Sequence, residues 1–483
     1  MKKILLLNPP GDRLYQRDYY CSDISKSTSY RHPYDLVVFS GWLYGKHQIH
    51  VLDAQMERLL PAQCFDKISR LDIDVIIFLT GCSSWMQDAA FLKKIKTTKR
   101  IILIGSGDIL LFEGENIMKD HQWLDAVSLD FTTPSILDYL KSAPGKIIPD
   151  FIVRQNDKIV RGPETDSSEF ALPIPRHELF PLKKYWMPHI RKFPFASVLT
   201  TFGCFFGCPI CASDKLTFKI RNIDNIMEEL TYLKKIGMKS IYFRDSTFGA
   251  NRRHSLTVCR EMIKNKFNFS WSCHSRIDVL DEELLGTMKR AGAHLVTLGV
   301  ESANESVLKK YKPGISLKQI EKTFELCRRF KVKTLAHFIV GLPGEDERSS
   351  VRMINFAREI NPDFATFNIV MPKLGTRLRE EALKNKWCLP ELTSLDTSCT
   401  YPILETPALS RETIFRLRNQ AIKQFYFRPG YIVKKIIEGI QEKKILMYVR
   451  ESLAMVRNLK PRYPEKETIG ILRKKYFDSD IRT

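Results

Sequence analysis

Cys204, Cys208 and Cys211 stand in the stretch Gly203-Cys-Phe-Phe-Gly-Cys-Pro-Ile-Cys-Ala212, a Cys-x3-Cys-x2-Cys spacing that follows a strand-like run at 197–202. Three thiolates on one loop can hold three irons of a four-iron cluster and leave the fourth iron open to a ligand that is not protein. A structural zinc site asks for four protein ligands, usually in two separated pairs. Here one loop carries the three thiols, and neither His189 nor His254 is locally paired with a thiol as a fourth ligand. A ferredoxin-type carrier supplies four cysteines. The pattern therefore favours a catalytic cluster with one open position.

The other eight cysteines, Cys21, Cys64, Cys82, Cys259, Cys273, Cys327, Cys388 and Cys399, are scattered singly. The chain's total of eleven is odd, and the scatter of these eight reads as buried thiols in a reducing compartment. The N-terminus, charged and then apolar, ends its apolar run at Pro9-Pro10 and reads as a first strand rather than a signal peptide. No apolar run is long enough to cross a bilayer. These features point to the cytoplasm. The formal charge of +21 suits anionic substrates, nucleic acid or an anionic membrane surface. No nucleic-acid module is legible, so nucleic acid is not favoured.

The elements that must position the cysteines fall into four segments. Over 1–145, apolar runs at 4–7, 49–53, 74–79 and 101–105 alternate with helical patterns at 34–46, 61–71, 84–97 and 132–142. Such alternation predicts a doubly wound parallel sheet of Rossmann type, with ligands at the carboxyl ends of its strands. Asn8-Pro-Pro-Gly11 and Gly81-Cys-Ser-Ser84 would lie at those ends. Residues 146–193, rich in proline, read as an extended linker. Over 194–385, strand candidates at 197–203, 239–244, 269–275, 295–301, 332–340 and 364–370 are separated by helical patterns. One of these puts Ile223, Ile226, Met227, Leu230, Leu233 and Ile236 on one face. Six units in about 190 residues fit a partial (β/α)6 barrel, since a full eight-unit barrel takes about 250. Residues 386–483 turn helical. Around Phe425-Tyr-Phe-Arg-Pro-Gly-Tyr431, with Lys443, Lys444, Arg450 and Arg457, they form a basic amphipathic region. It reads either as a cap on the barrel or as a contact with an anionic membrane surface.

In its cysteine spacing and in the motifs at successive strand ends, the chain resembles the radical SAM superfamily. The resemblance implies a 4Fe-4S cluster on Cys204, Cys208 and Cys211, with S-adenosylmethionine chelated to the open iron and split by one electron to a 5′-deoxyadenosyl radical. It implies an electron donor such as flavodoxin or ferredoxin. Ile210, before the third cysteine, would pack near the adenine; many members carry an aromatic residue there. Asp245, in Phe243-Arg-Asp-Ser-Thr-Phe248, would offer a carboxylate or backbone carbonyl to the methionine ammonium. Arg276, ending Trp271-Ser-Cys-His-Ser-Arg276, would face the methionine carboxylate. Glu301 and Ser302, in Gly299-Val-Glu-Ser302, match the ribose-contacting element. Val340 lies in Phe338-Ile-Val-Gly-Leu-Pro-Gly-Glu345, which resembles the adenine-flanking motif. The turn Met371-Pro-Lys-Leu-Gly-Thr376 follows the sixth strand. His274 and His337 are expected near strand ends, where they read more readily as structural than as catalytic; no catalytic acid or base is assigned.

The order of segments resembles the cobalamin-binding class of that superfamily, which includes methyltransferases acting on unactivated carbons and a cyclase of chlorophyll biosynthesis. The resemblance implies cobalamin in the first domain and methylation of a small-molecule or lipid-like substrate. The chain departs from the class in three respects. It has no Asp-x-His-x-x-Gly motif, and Gly105-Ser-Gly107 and Ala126-Val-Ser-Leu-Asp130 replace glycine-rich loops. Radical chemistry without cobalamin, such as cyclisation or rearrangement, is the second reading, and a non-enzymatic iron–sulfur sensor the third.

Overall fold

The computed structural model describes residues 1–25, 29–143, 145–155, 158–388, 402–442, 444–457 and 459. Cys399, Lys443 and the parts of the expected C-terminal region at 389–401 and after 459 lie outside them.

In the first domain, β1 (Lys3–Asn8), β2 (Gln48–Asp53), β3 (Val75–Leu79), β4 (Ile102–Ser106) and β5 (Ala126–Ser128) run parallel in the order β2-β1-β3-β4-β5. The strands are apolar nearly throughout because both faces are covered. Ile4, Leu6, Val75 and Ile77 enter one core with α1 (Tyr34–Leu43), and Leu5, Leu7, Ile76 and Phe78 enter another with α2 (Pro61–Ser69) and α3 (Trp85–Thr98). This is the doubly wound order whose switch point lies between β1 and β3.

Two parts of this domain depart from the expectation. A helix, α4 (Asp108–Asp120), follows β4; its interior Gly114 interrupts the helical pattern but lets the helix approach Ile152. The sheet also continues past 145, through α5 (Ser135–Lys141), into an antiparallel hairpin of β6 (Phe151–Gln155) and β7 (Lys158–Arg161). The stretch expected to be an extended linker is packed: Leu172, Phe180, Tyr185, Met187 and Ile190 are buried in the core that holds Ile4 and Phe39.

The second sheet has β8 (Phe195–Val198), β9 (Ser240–Phe243), β10 (Ser270–Ser275), β11 (Ala293–Glu301), β12 (Lys333–Val340) and β13 (Phe364–Ile369), all parallel in chain order. β8 and β13 are its edges, so the barrel is partial, as expected. Helices α6 (Ile223–Lys235), α7 (Arg252–Lys264), α8 (Glu282–Arg290), α9 (Glu305–Tyr311), α10 (Leu317–Arg329) and α11 (Glu347–Glu359) follow the strands. In α6 the apolar stripe works as read, with Ile226, Leu230 and Leu233 fully buried. Along β12, Ala336, Phe338 and Val340 are buried toward the helices while Leu335, His337 and Ile339 line the half-open inner face. After α12 (Arg377–Lys384), α13 (Arg411–Tyr426) closes on β13, with Tyr426 Oη donating to the Ala365 carbonyl at 2.6 Å.

The carboxyl ends of the two sheets face each other. Asp18 pairs with Arg244, Lys373 Nζ donates to Cys21 Sγ at 2.8 Å, and His32 Nδ1 lies 3.1 Å from Ser197 Oγ. Phe195, Leu199, Phe202 and Tyr242 of the barrel share one core with Ile4 and Leu6 of the first domain.

Candidate cluster and cofactor site

The cysteine loop is the connection of a small hairpin. Thr201–Phe202 pairs antiparallel with Lys219–Arg221, and Glu169–Phe170 adds a third strand. The loop leaves the hairpin at Gly203, whose φ is +74° and whose missing Cβ would lie 2.6 Å from the carbonyl oxygens of Leu216 and Thr217. Only glycine accepts both conditions. On its far side the loop is held by the start of α12: Leu378 N donates to the Pro209 carbonyl at 3.0 Å, and Arg377 donates to the Gly207 carbonyl. Cys204, Cys208 and Cys211 are all free thiols at intermediate burial. Among the described residues no three His, Cys, Asp or Glu side chains converge as ligands of a single ion.

Two cations attend Cys208. Arg276 Nη1 donates to Cys208 Sγ at 3.0 Å, while its other nitrogens hold Asp278 and the Pro313 carbonyl and its plane lies 4.1 Å over the Phe206 ring. Lys312 is the second. Burial works against its ammonium, but Glu301 and Cys208 outweigh burial and raise its pKa. The Cys208 thiol is itself pushed up by burial, and Lys312 and Arg276 pull against that.

Glu301 ends β11 in a left-handed conformation, φ +65°, at a register shift between Gly299 and Glu301. A glutamate there is uncommon. The turn brings its carboxylate back to Lys312 at 2.7 Å. A Cβ on Gly299 would lie 2.2 Å from both Glu301 Oε1 and Lys312 Nζ, so the glycine in Gly299-Val-Glu-Ser302 is the space this ion pair occupies. Lys312 was not legible from the sequence, for it stands after α9, away from any strand end. Its signal was that Glu301, a carboxylate brought into an enclosed turn, needs a partner.

The remaining expected residues divide. Ser302 is fully buried and donates to Glu345 Oε1 at 2.6 Å, and Gly341 N donates to Oε2 at 3.1 Å. Ile210 packs with Ile339, Leu342 and Val370, an apolar surface beside the cysteines. Val340 is buried on the outer face of β12, so its side chain stands in the core and only its backbone can border a ligand. The Asp245 carboxylate is turned inward: Thr200 N donates to it at 2.7 Å and the Thr200 hydroxyl does so too. It therefore braces the start of the cysteine hairpin, which leaves the backbone of Asp245 as the part able to meet an ammonium.

Glu345 carries a pH consequence. Burial pushes its carboxyl from 4.5 to about 7, although the bonds from Ser302 and Gly341 oppose the shift. A raised folded-state pKa means the native chain holds this proton where the unfolded chain has lost it. Stability from this group is thus present at low pH and falls as pH rises from 4.5 to about 7, by no more than about 3 kcal/mol. Glu345→Gln is expected to flatten that fall, measured as urea midpoints at about pH 5 and about pH 8. An unchanged slope would remove Glu345 as its source.

The inner face of the barrel carries polar rings. The rings of Tyr242 and His274 are 6.0 Å apart and those of His274 and His337 5.9 Å apart, with Asn368 Nδ2 3.5 Å from His337 Nδ1. Burial, and then His337, hold His274 well below its ordinary pKa, so it is a neutral imidazole. The two histidines expected near strand ends are therefore neighbours across the barrel. A small cavity where residues of the first domain meet Lys373 and Leu374 is lined also by Tyr20, Ser22, Cys82, Asp108 and Phe112.

A thiol loop with two attendant cations and a buried carboxylate, all at the carboxyl end of an open parallel barrel, forms one site. The family described as "Radical SAM superfamily" matches residues 198–357, from the end of β8 into α11. Over those residues the chain is similar to the radical SAM superfamily. It is 28% identical over 453 residues to the "Uncharacterized methyltransferase PH0819" of Pyrococcus horikoshii, covering 90% of this chain and 95% of that one. It is 22% identical over 428 residues to an anaerobic magnesium-protoporphyrin IX monomethyl ester cyclase of Rubrivivax gelatinosus, covering 83% and 75%. Among solved structures, the radical S-adenosylmethionine methyltransferase TsrM of Kitasatospora setae, with cobalamin and a [4Fe-4S] cluster bound, aligns with a TM-score of 0.62 at 16% identity, over 79% of this chain and 78% of TsrM. The cobalamin-dependent radical enzyme OxsB aligns with a TM-score of 0.67 at 14% identity, over 99% and 75%. These two structures share the fold, first domain included. The radical SAM enzyme assignment thus rests on the barrel, and the layout of both domains matches the expected class.

Proposed function

We propose that this radical SAM enzyme methylates an unactivated carbon of a small-molecule or lipid-like substrate, using a 4Fe-4S cluster, S-adenosylmethionine and cobalamin. The observation that carries the reading is the convergence of Cys208, Arg276, Lys312 and Glu301 at the carboxyl end of the barrel, the end where Asp18 of the first domain pairs with Arg244. The cluster and S-adenosylmethionine, when bound, supply a 5′-deoxyadenosyl radical. Cys204, Cys208 and Cys211 would hold the irons, and Arg276, donating to Cys208, opposes the burial that raises that thiol's pKa. Lys312 is a cation for a carboxylate, and Glu301 accepts from vicinal hydroxyls. Ile210 and the Ile339–Val370 surface exclude water from an adenine face. The similarity to an archaeal methyltransferase over nearly the full length of both chains supports methyl transfer.

Cobalamin, when bound, would supply the methyl group. At the carboxyl ends of the first sheet, Asp35 Oδ1, Ser83 Oγ and Ser128 Oγ are buried polar atoms with no partner in the protein. Buried polar groups without partners are costly, and these three offer hydrogen bonds to the polar side chains and tail of a corrin. The residues present thus fit the group.

The reading includes an external one-electron donor such as flavodoxin or ferredoxin, and a cytoplasmic location in which the ten described cysteines stay free thiols. Ring formation is the second reading, favoured by the similarity to the cyclase over 83% of this chain.

Anaerobic purification with hydroxocobalamin supplied, followed by iron, sulfide and corrin analysis and an assay for 5′-deoxyadenosine, tests the proposal. Four irons, one corrin surviving gel filtration and reductive cleavage of S-adenosylmethionine are expected. Cleavage with no retained corrin would favour radical chemistry without cobalamin. Lys312→Met is expected to weaken S-adenosylmethionine binding at least about tenfold, the scale of one charge-assisted hydrogen bond, with iron content unchanged. Equal affinity would take Lys312 out of the site.

A further inference from the structure

Of the two C-terminal helices, α14 (Pro429–Gln441) and α15 (Ile445–Arg457), the first is packed the wrong way round for a protein in water. A surface helix normally turns its apolar stripe to the core. The inner face of α14 is instead polar. Tyr431 Oη donates to the Asp363 carbonyl at 2.9 Å, Lys435 lies 4.2 Å over the Phe364 ring and donates to Glu438, and Lys333 pairs with Glu442 at 2.7 Å. Its outer face is aliphatic: Ile436, Ile437 and Ile440 are 45%, 50% and 64% exposed. On α15, Leu446, Val449 and Leu453 are likewise 83%, 49% and 56% exposed, with Arg450 exposed beside them. Of the nineteen large apolar side chains exposed among the described residues, nine lie between 432 and 456. Single exposed apolar residues are ordinary; a contiguous patch marks a partner.

The place of the patch says which partner. α14 rests on Lys333 and Phe364, the first residues of β12 and β13, so it sits at the amino-terminal pole of the barrel, opposite the cysteine loop. Parallel strands bring the ends of their helices to the same pole, and those ends are basic. Lys235, Lys266, Arg290 and Arg358 close helices there, and Lys239 and Lys331 precede strands, all of them exposed. One basic residue at a helix end answers the helix dipole. A pole of them around an outward aliphatic face is complementary to a surface that is apolar within and anionic at its rim.

We propose that the outer face of α14 and α15 is an in-plane anchor on the surface of an anionic lipid bilayer, with the basic pole of the barrel against the headgroups. In that pose the cysteine loop, at least the length of the eight-residue β12 away, faces the aqueous side. The strand alone spans about 26 Å. The anchor is independent of the chemistry proposed for the cluster.

Sedimentation of the full-length protein with vesicles of phosphatidylcholine, alone or with phosphatidylglycerol, tests this. Binding to the anionic vesicles, absent from the neutral ones and falling as salt rises, is expected. The double substitution Ile437→Glu and Leu453→Glu should lower binding at least about tenfold while circular dichroism, iron content and S-adenosylmethionine cleavage in solution stay as in the parent. Lys239→Glu with Lys331→Glu should lower it too and flatten its salt dependence. Failure of the parent protein to bind anionic vesicles overturns the proposal. So does a stable dimer that Ile437→Glu/Leu453→Glu dissociates with no lipid binding, which would make a second copy the occupant. Lipid binding that emerges only when residues 460–483 are deleted would make that segment the occupant and overturns it equally.

Discussion

Alanine at Cys204, Cys208 and Cys211 together is expected to abolish cluster assembly and to bring 5′-deoxyadenosine formation down to background. The three thiols stand on one loop, fixed at its ends by the hairpin of Thr201–Phe202 with Lys219–Arg221 and from the side by α12. Few other thiols could replace them. Cys64, Cys259 and Cys327 are fully buried in the cores beneath the helices. Cys21, nearer the loop across the domain contact, is held by Lys373. Each single alanine should leave at most a labile cluster, because one iron loses its protein ligand. Cys259→Ala, a buried thiol away from the loop, should change neither iron content nor cleavage, and it controls for a general loss of fold. A triple variant that still assembled four irons and cleaved the cofactor under anaerobic conditions would sink the assignment of this loop.

The largest expected effect on stability comes from Arg17→Ala. Arg17 and Asp88 are fully buried and meet at 2.6 Å, at the switch point between β1 and β3. The guanidinium also donates to Ser84 Oγ, Asn8 Oδ1 and the Pro9 carbonyl, and Asp88 accepts from the Thr80 and Ser84 hydroxyls. The arginine thus ties together the two loops that follow β1 and β3. Removing it leaves Asp88 charged, buried and without its cation, and breaking such a pair costs about 3–5 kcal/mol. Replacing both partners by apolar residues of similar volume, Arg17→Met with Asp88→Leu, should recover much of that loss, since no charge is then stranded. Urea denaturation of the three proteins reads both results. An Arg17→Ala protein within about 1 kcal/mol of the parent would mean that water or a relaxed loop reaches Asp88.

Most strands of both sheets and the position of the cysteine loop were legible in the sequence, because a strand covered on both faces is apolar throughout and stands out against amphipathic helices. The runs Ile4-Leu-Leu-Leu7 and Val75-Ile-Ile-Phe-Leu79 could be little else. The β6–β7 hairpin was not legible, for it is short, half-exposed and surrounded by prolines that suggested a linker. In the site, the residues read from motifs were found where backbone position decides their place, as with Arg276 and Glu301 at their strand ends. Side-chain direction is set by tertiary partners and lies outside such patterns. Asp245 turns to Thr200, and Lys312 reaches Glu301 from a helix end. The inverted face of α14 could be drawn from periodicity as amphipathic, yet which side faces the barrel depends on Lys333, Asp363 and Phe364, far away in sequence.

The core shared by the two sheets limits how the enzyme can be taken apart. Phe195, Leu199, Phe202 and Tyr242 have their apolar cover in residues of the first 190, Leu172 and Tyr185 among them. A fragment beginning at residue 194 would carry every cluster ligand and every motif of the barrel, and would still present a greasy wall where the first domain belongs. Expressed alone it should clump rather than serve as a simpler version of the enzyme. The two halves are not interchangeable cassettes, and in its descent the barrel could change its first domain only by rebuilding its own first strand.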